Sequence, residues 1–237
     1  MRFFKQLFRN EDKEAFDNIF WYEDIKNVVR RALDAKDNYN LLFIGAPASA
    51  KTLFLLSILE LSKNSCYFDG SNTTSRILDV LEEKRPRIIC LDELDKISRQ
   101  FQNQLLNFLE SGHIKVDQVK RRYDFEIKGA KVFAAANDID RISKPLQSRF
   151  RKLFLAKYTE PQFLDISERM LPKLHGAFAR YIGSRVLKNG GDIRDVQHIG
   201  KLVRKSEGPL EIVQIMNTMA KYGNMMMQDR LMGKEDR

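Results

Sequence analysis

Residues 45–52, GAPASAKT, stand between the apolar run YNLLFI (39–44) and the apolar stretch LFLLSILEL (53–61). This is the layout of a strand, a tight turn and a helix. The turn is one residue away from the phosphate-binding pattern G-x-x-x-x-G-K-[ST], because Ala50 occupies the place of the second glycine. A phosphate loop works by converging backbone N–H groups, a helix amino-terminus and a lysine on the phosphates, while a Ser/Thr hydroxyl serves Mg²⁺. Gly45 permits the sharp exit from the strand, and Lys51 and Thr52 open the helix. Ala46, Pro47, Ala48 and Ser49 supply the backbone of the cradle. Ala50 is expected to have entered the helix already, with ordinary negative φ, so that its methyl group is tolerated. Alone, the stretch reads either as a nucleotide site or as a plain turn that happens to contain lysine.

The segment RIICLDE (87–93) separates these readings. Asp92 and Glu93 follow four apolar residues, so they emerge together at the carboxyl end of a buried strand, the edge at which open α/β sheets bind ligands. Asp92 suits the Mg²⁺ shell beside Thr52. Glu93 suits the orientation or deprotonation of an attacking water. A lysine-threonine pair and a carboxylate pair, each at the end of a strand in βαβ order, point to a nucleotide site with Mg²⁺.

The remaining chain fits that frame. Apolar spacing predicts a helix over 18–35, with Ile25, Val28, Val29 and Ala32 on one face. Further helices are expected over 51–63, 71–84 and 100–110, and strands at SCYFDG (65–70), AKVFAAAND (130–138) and RKLFLAKY (151–158). Between 113 and 128 the period changes to two: Ile114 and Val116, then Tyr123, Phe125 and Ile127, alternate with polar residues, which reads as a hairpin. Strands alternating with helices imply a parallel sheet covered on both faces. The expected fold is α/β, with a phosphate-loop parallel sheet of five strands between helices, an inserted hairpin and a carboxyl-terminal all-helical lid. Its expected organisation is an arm over 1–15, a nucleotide-binding domain over 16–159 and the lid over 160–237.

Composition sets the remaining bounds. No window approaches the roughly 18 uninterrupted apolar residues of a membrane span. MRFFKQLFRN (1–10) is too short and charged for a signal peptide and reads as an arm. Cys66 and Cys90 fall in apolar strand-like runs and read as buried thiols in a reducing, cytoplasmic compartment. The balance of 41 Lys and Arg against 32 Asp and Glu, net +9, favours polyanionic partners.

With these motifs in place the chain resembles an AAA+ ATPase over nearly all its length, from about residue 16 to about residue 227. GAPASAKT is similar to the Ala-Lys-Ser/Thr variant of Walker A found in MCM helicases, and IICLDE matches Walker B. The resemblance implies that Asn137 in FAAAND is the sensor 1 residue that helps place the hydrolytic water. It also implies that Arg149 in LQSRF is an arginine finger for a neighbouring subunit, with Arg151 a competing candidate. Arg194 in GGDIRDV would be sensor 2 on the lid, and Asn72 would restrain the catalytic glutamate. A homo-oligomer, in this family usually a hexameric ring, is implied as well.

Hairpins before the sensor 1 strand occur in RuvB-like, MCM-like, MoxR-like and magnesium-chelatase-like motors. Here the segment 113–131 holds six basic residues against three acidic ones, with Lys120, Arg121 and Arg122 at the turn beside Tyr123. A basic tip in a ring pore would contact DNA phosphates. The chain is expected to end with its lid, without the winged-helix domain of RuvB-like motors, which weighs against autonomous DNA recognition. Two classes therefore stand: a motor acting on DNA, and a MoxR-like remodeller of a protein partner, either with a recruiting protein.

Overall fold

The computed structural model describes residues 15–17, 19–72, 74–117, 121–172, 174–202, 210–211 and 213–218. All but the last residue of the expected arm over 1–15 lies outside them, and so does Lys120. The chain divides into two compact units, Met1–Lys157 and Tyr158–Arg237.

Among the described residues the first unit has seven strands: β1 (Tyr39–Gly45), β2 (Ser65–Phe68), β3 (Ile88–Leu91), β4 (His113–Asp117), β5 (Arg122–Glu126), β6 (Lys131–Ala136) and β7 (Arg151–Leu155). Five of them form one sheet in the order β2-β3-β6-β1-β7, and every neighbouring pair is parallel. Parallel neighbours need crossovers. Helices α1 (Glu23–Asp34), α2 (Lys51–Glu60), α3 (Thr74–Lys84), α4 (Arg99–Ser111) and α5 (Lys144–Ser148) belong to the same unit, the last four in the crossovers. All residues of β3 and β6 are buried, which is why, Lys131 at the start of β6 apart, their sequences are apolar runs and not alternating ones.

Helix α1 starts at Glu23, not near residue 18, because Trp21 and Tyr22 both take left-handed backbone (φ +65° and +62°). That conformation cannot continue into a right-handed helix. The Tyr22 hydroxyl donates to the Ala156 carbonyl at 2.6 Å, tying the helix entrance to the end of β7.

The hairpin β4–β5 is antiparallel, with Val116 opposite Tyr123 and Lys115 opposite Asp124. Its apolar face shares one core with Ile77, Leu78 and Leu81 of α3 and with Phe101, Leu105 and Phe108 of α4. Helix α4 is capped by Ser98, whose hydroxyl accepts from Phe101 N–H. It ends at Gly112 (φ +76°), where a Cβ would meet the Ile127 carbonyl at 2.7 Å. Only glycine allows the chain to turn so tightly from helix into hairpin.

The second unit holds α6 (Glu160–Met170), opened by a capping box of Thr159 and Gln162, then α7 (Gly176–Lys188) and α8 (Ile193–Leu202). Phe163, Ala179, Ile182, Val186, Val196 and Ile199 form its own core. Among the described residues no helix is long and apolar enough to cross a membrane. Cys66 and Cys90 are buried free thiols; burial pushes Cys66 up to about 12 and raises Cys90 as well.

Candidate active site

The parallel registers bring five strand ends to one edge: Gly45 of β1 pairs with Leu155 of β7, Ile44 with Ala136 of β6, Leu91 of β3 with Ala134, and Phe68 of β2 with Leu91. The loop Gly45–Thr52 and the pair Asp92–Glu93 therefore leave the sheet side by side. A Cβ on Gly45 would lie 2.5 Å from the Leu155 carbonyl oxygen and 2.7 Å from Ser49 Oγ, so no larger residue fits.

Inside the loop, Ala48 and Ala50 both have left-handed backbone, at φ +61° and +64°. This corrects the expectation for Ala50, which is not yet helical but occupies the position immediately before α2. For an alanine the conformation costs about 1 kcal/mol. Left-handed steps of this kind turn backbone N–H groups into an anion-binding concavity, so the strain falls where a phosphate cradle requires it. The glycine missing from the sequence pattern would have adopted the same geometry without that cost.

Lys51 is only 6% exposed. Its ammonium donates to the carbonyls of Gly45 at 2.8 Å and Ala46 at 2.7 Å, and to Ser49 Oγ at 3.2 Å. These acceptors are neutral groups of its own loop. Asp92 accepts from Thr52 Oγ1 at 2.8 Å and from the Tyr67 hydroxyl at 2.9 Å, both on Oδ2, while its Oδ1 accepts from Glu93 N–H at 2.8 Å. Tyr67 is raised well above the usual phenol range, first by burial and then by its bond to Asp92. Sequence reading missed Tyr67. The signal was register: β2 lies beside β3, and Tyr67 pairs with Cys90, two residues before Asp92.

Glu93 has left-handed backbone (φ +52°) and caps a 3-10 turn, Leu94–Lys96. Its carboxylate forms an ion pair with Lys96. Asp95, only 8% exposed, accepts from the backbone N–H groups of Asn137 and Asp138 at 3.3 Å each, joining the Glu93 turn to the end of β6 where Asn137 sits. Asn72, expected to restrain Glu93, instead folds back on its own turn. Its side-chain oxygen accepts from Asp69 N–H at 2.9 Å, because an asparagine after a strand end satisfies the nearest free amide.

The arginines are dispersed. Arg149 caps α5 and pairs with Glu110 at 2.8 Å. Arg151 begins the exposed edge strand β7. Arg194 lies on the first turn of α8 in the second unit, its N–H bonded to Asp192 Oδ1 at 2.8 Å. On the hairpin, Arg121 binds Asp79 and Glu82 of α3 and lies over the Tyr123 ring. Arg122 pairs with Asp117 at 3.2 Å and Asp124 at 3.9 Å. The two described basic residues at the turn are thus neutralised within the chain.

These groups fit ATP and Mg²⁺. Among the described residues no cluster of three or more His, Cys, Asp or Glu side chains could hold a metal alone. A magnesium site that draws most of its ligands from phosphates and water needs only one or two protein oxygens, and Thr52 Oγ1 and Asp92 Oδ2 stand together. Lys51 and the N–H groups at the start of α2 offer positive charge beside them.

Comparison with known proteins bears on the domain and its fold. Residues 41–158 match the family model described as "ATPase family associated with various cellular activities (AAA)". A stretch of 90 residues is 33% identical to the Lon protease of Geobacter metallireducens, covering 35% of this chain and 11% of that protein. The chain thus spans about a tenth of the length of that relative. Among solved structures, a proline-to-glycine mutant of RuvB from Thermotoga maritima matches with a TM-score of 0.66 at 19% identity, over 83% of this chain and 70% of that one. The shared fold is the parallel sheet with its flanking helices.

Proposed function

We propose that the chain, which carries an AAA ATPase domain over residues 41–158, is a ring-forming motor that hydrolyses ATP and acts on DNA. The observation that carries the ATP chemistry is the joining of Thr52 and Asp92 by a 2.8 Å hydrogen bond beside buried Lys51, with Glu93 next along the chain. In this reading Lys51 and the loop Gly45–Ala50 bind the phosphates. Thr52 and Asp92 hold Mg²⁺, which when bound neutralises charge on the β- and γ-phosphates. Glu93 orients the attacking water and accepts its proton, and Asn137 fixes that water from the end of β6. Arg149 is supplied to the neighbouring subunit's site, leaving Glu110 to do so, and Arg194 is the sensor 2 residue of the lid unit. A hexamer is the assembly that AAA relatives favour. Mixing Arg149→Ala chains with Lys51→Ala chains should recover part of the lost turnover, since some interfaces then unite an intact cradle with an intact arginine. No recovery in a proven mixed oligomer excludes sharing.

DNA is supported by the net charge of +9 and by a hairpin inserted just before β6. The test is stimulation of ATP hydrolysis by duplex and single-stranded DNA, together with the salt dependence of binding. Replacing Lys115, Lys120 and Arg122 by alanine should lower the salt slope by about 2 to 3 if they contact phosphates. An unchanged slope removes the hairpin from the DNA path.

A second reading, a remodeller that acts on a protein partner, is favoured by one specific observation. Arg121 already spends its charge on Asp79 and Glu82. Turnover stimulated by a partner protein and indifferent to DNA would select it.

A further inference from the structure

The 3-10 turn after β3 carries a contact that the proposed ATP chemistry does not use. Side chains three residues apart eclipse one another in such a turn. Here those two are Glu93 and Lys96, and the turn is closed by Lys96 N–H donating to the Glu93 carbonyl at 2.8 Å. The Lys96 ammonium therefore lies on the Glu93 carboxylate, and the two side chains remain 51% and 36% exposed. The contact raises the Lys96 ammonium above its ordinary value, its hydrogen bond to Glu93 being the first cause.

A second element presses on the same pair. At Gly70, in the loop leaving β2, an added Cβ would sit 2.8 Å from Lys96 Cβ and 3.2 Å from both Glu93 Cβ and the Glu93 carbonyl oxygen. The lysine stem therefore packs directly against that loop, which is itself tied by Asp69, Ser71 and Asn72. The pair is held from two sides.

A carboxylate oxygen that accepts from an ammonium is turned from any water it would orient. We infer that Lys96 is a positioning residue that restrains Glu93 in the resting chain, so that Glu93 reaches the attacking water only after leaving Lys96. The inference rests on Glu93 being the water-activating residue. It assigns to Lys96 the restraint that the family resemblance had implied for Asn72.

The test is steady-state ATP hydrolysis by the full chain. Lys96→Met keeps an apolar stem against Gly70 and removes the charge. It should raise kcat about two- to fivefold, the range set by releasing one half-exposed ion pair, with KM for ATP unchanged. Lys96→Arg, which can still grip the carboxylate, should retain the wild-type rate. In a Glu93→Gln background, Lys96→Met should change nothing. A kcat for Lys96→Met equal to or below wild type, with Glu93→Gln inactive, overturns the inference and leaves the ATP site standing. A Lys96→Arg chain as fast as Lys96→Met also overturns it. Wild-type turnover by Glu93→Gln would instead remove the reading of Glu93 itself, and the inference with it.

Discussion

The carboxyl edge of the sheet and the β4–β5 hairpin are both crowded with charge, yet they dispose of it in opposite ways. At the edge, Lys51 is buried and donates to the neutral oxygens of Gly45, Ala46 and Ser49, inside the loop that leaves β1. On the hairpin, Arg121 faces two carboxylates and a tyrosine ring, and Arg122 faces two carboxylates. Redirecting Arg121 to a phosphate would first break both pairs and leave Asp79 and Glu82 repelling the same ligand. Residue type alone would rank the hairpin as the better anion site, because it has more basic residues. The ion pairs of Arg121 and Arg122 weigh against that ranking.

Lys51→Ala puts the greatest strain on this contrast. It removes charge-assisted hydrogen bonds to phosphate, and ATP affinity should fall about 10- to 100-fold, as read by calorimetry or a fluorescent analogue. Wild-type affinity would mean that the cradle does not depend on its one buried ammonium. The opposite substitution, Arg121→Ala, should leave ATP affinity and basal turnover at wild-type values. It should lower the thermal midpoint, because the hairpin loses its anchor to α3. A fall in ATP affinity there would break the separation of the two regions.

The smallest effect is expected at Ala50. Exchange for glycine relieves the left-handed backbone but adds freedom to the unfolded chain, for a net gain of at most about 1 kcal/mol. Chemical denaturation would measure it. Destabilisation would show that the Ala50 methyl, 8% exposed, contributes more by packing than its backbone costs.

How much of this was legible in the sequence follows from the range of each interaction. The apolar run before Gly45 and the four apolar residues before Asp92 are local signals, and both strand ends emerge where they were expected. The left-handed φ of Ala50 was not legible, since it is set by closure of the loop and not by the preference of alanine, which opposes it. Nor were the partners of Arg121, which lie 42 and 39 residues away on α3. The bond from Tyr67 to Asp92 depends on which strands are neighbours, a fact of topology. The Lys96–Glu93 pair is close in sequence, but it becomes visible only once the residues after β3 are known to form a 3-10 turn.

The measurement closest to the central claim compares ATP binding with ATP turnover in Glu93→Gln. The exchange keeps the size of the side chain and the cradle of Lys51, Thr52 and Asp92, and removes only the carboxylate proposed to orient the attacking water. ATP affinity should match the wild type while multiple-turnover hydrolysis falls by about 10²-fold or more. Hydrolysis at the wild-type rate, with ATP bound as tightly, would contradict the assignment of the carboxyl edge as the place where water attacks.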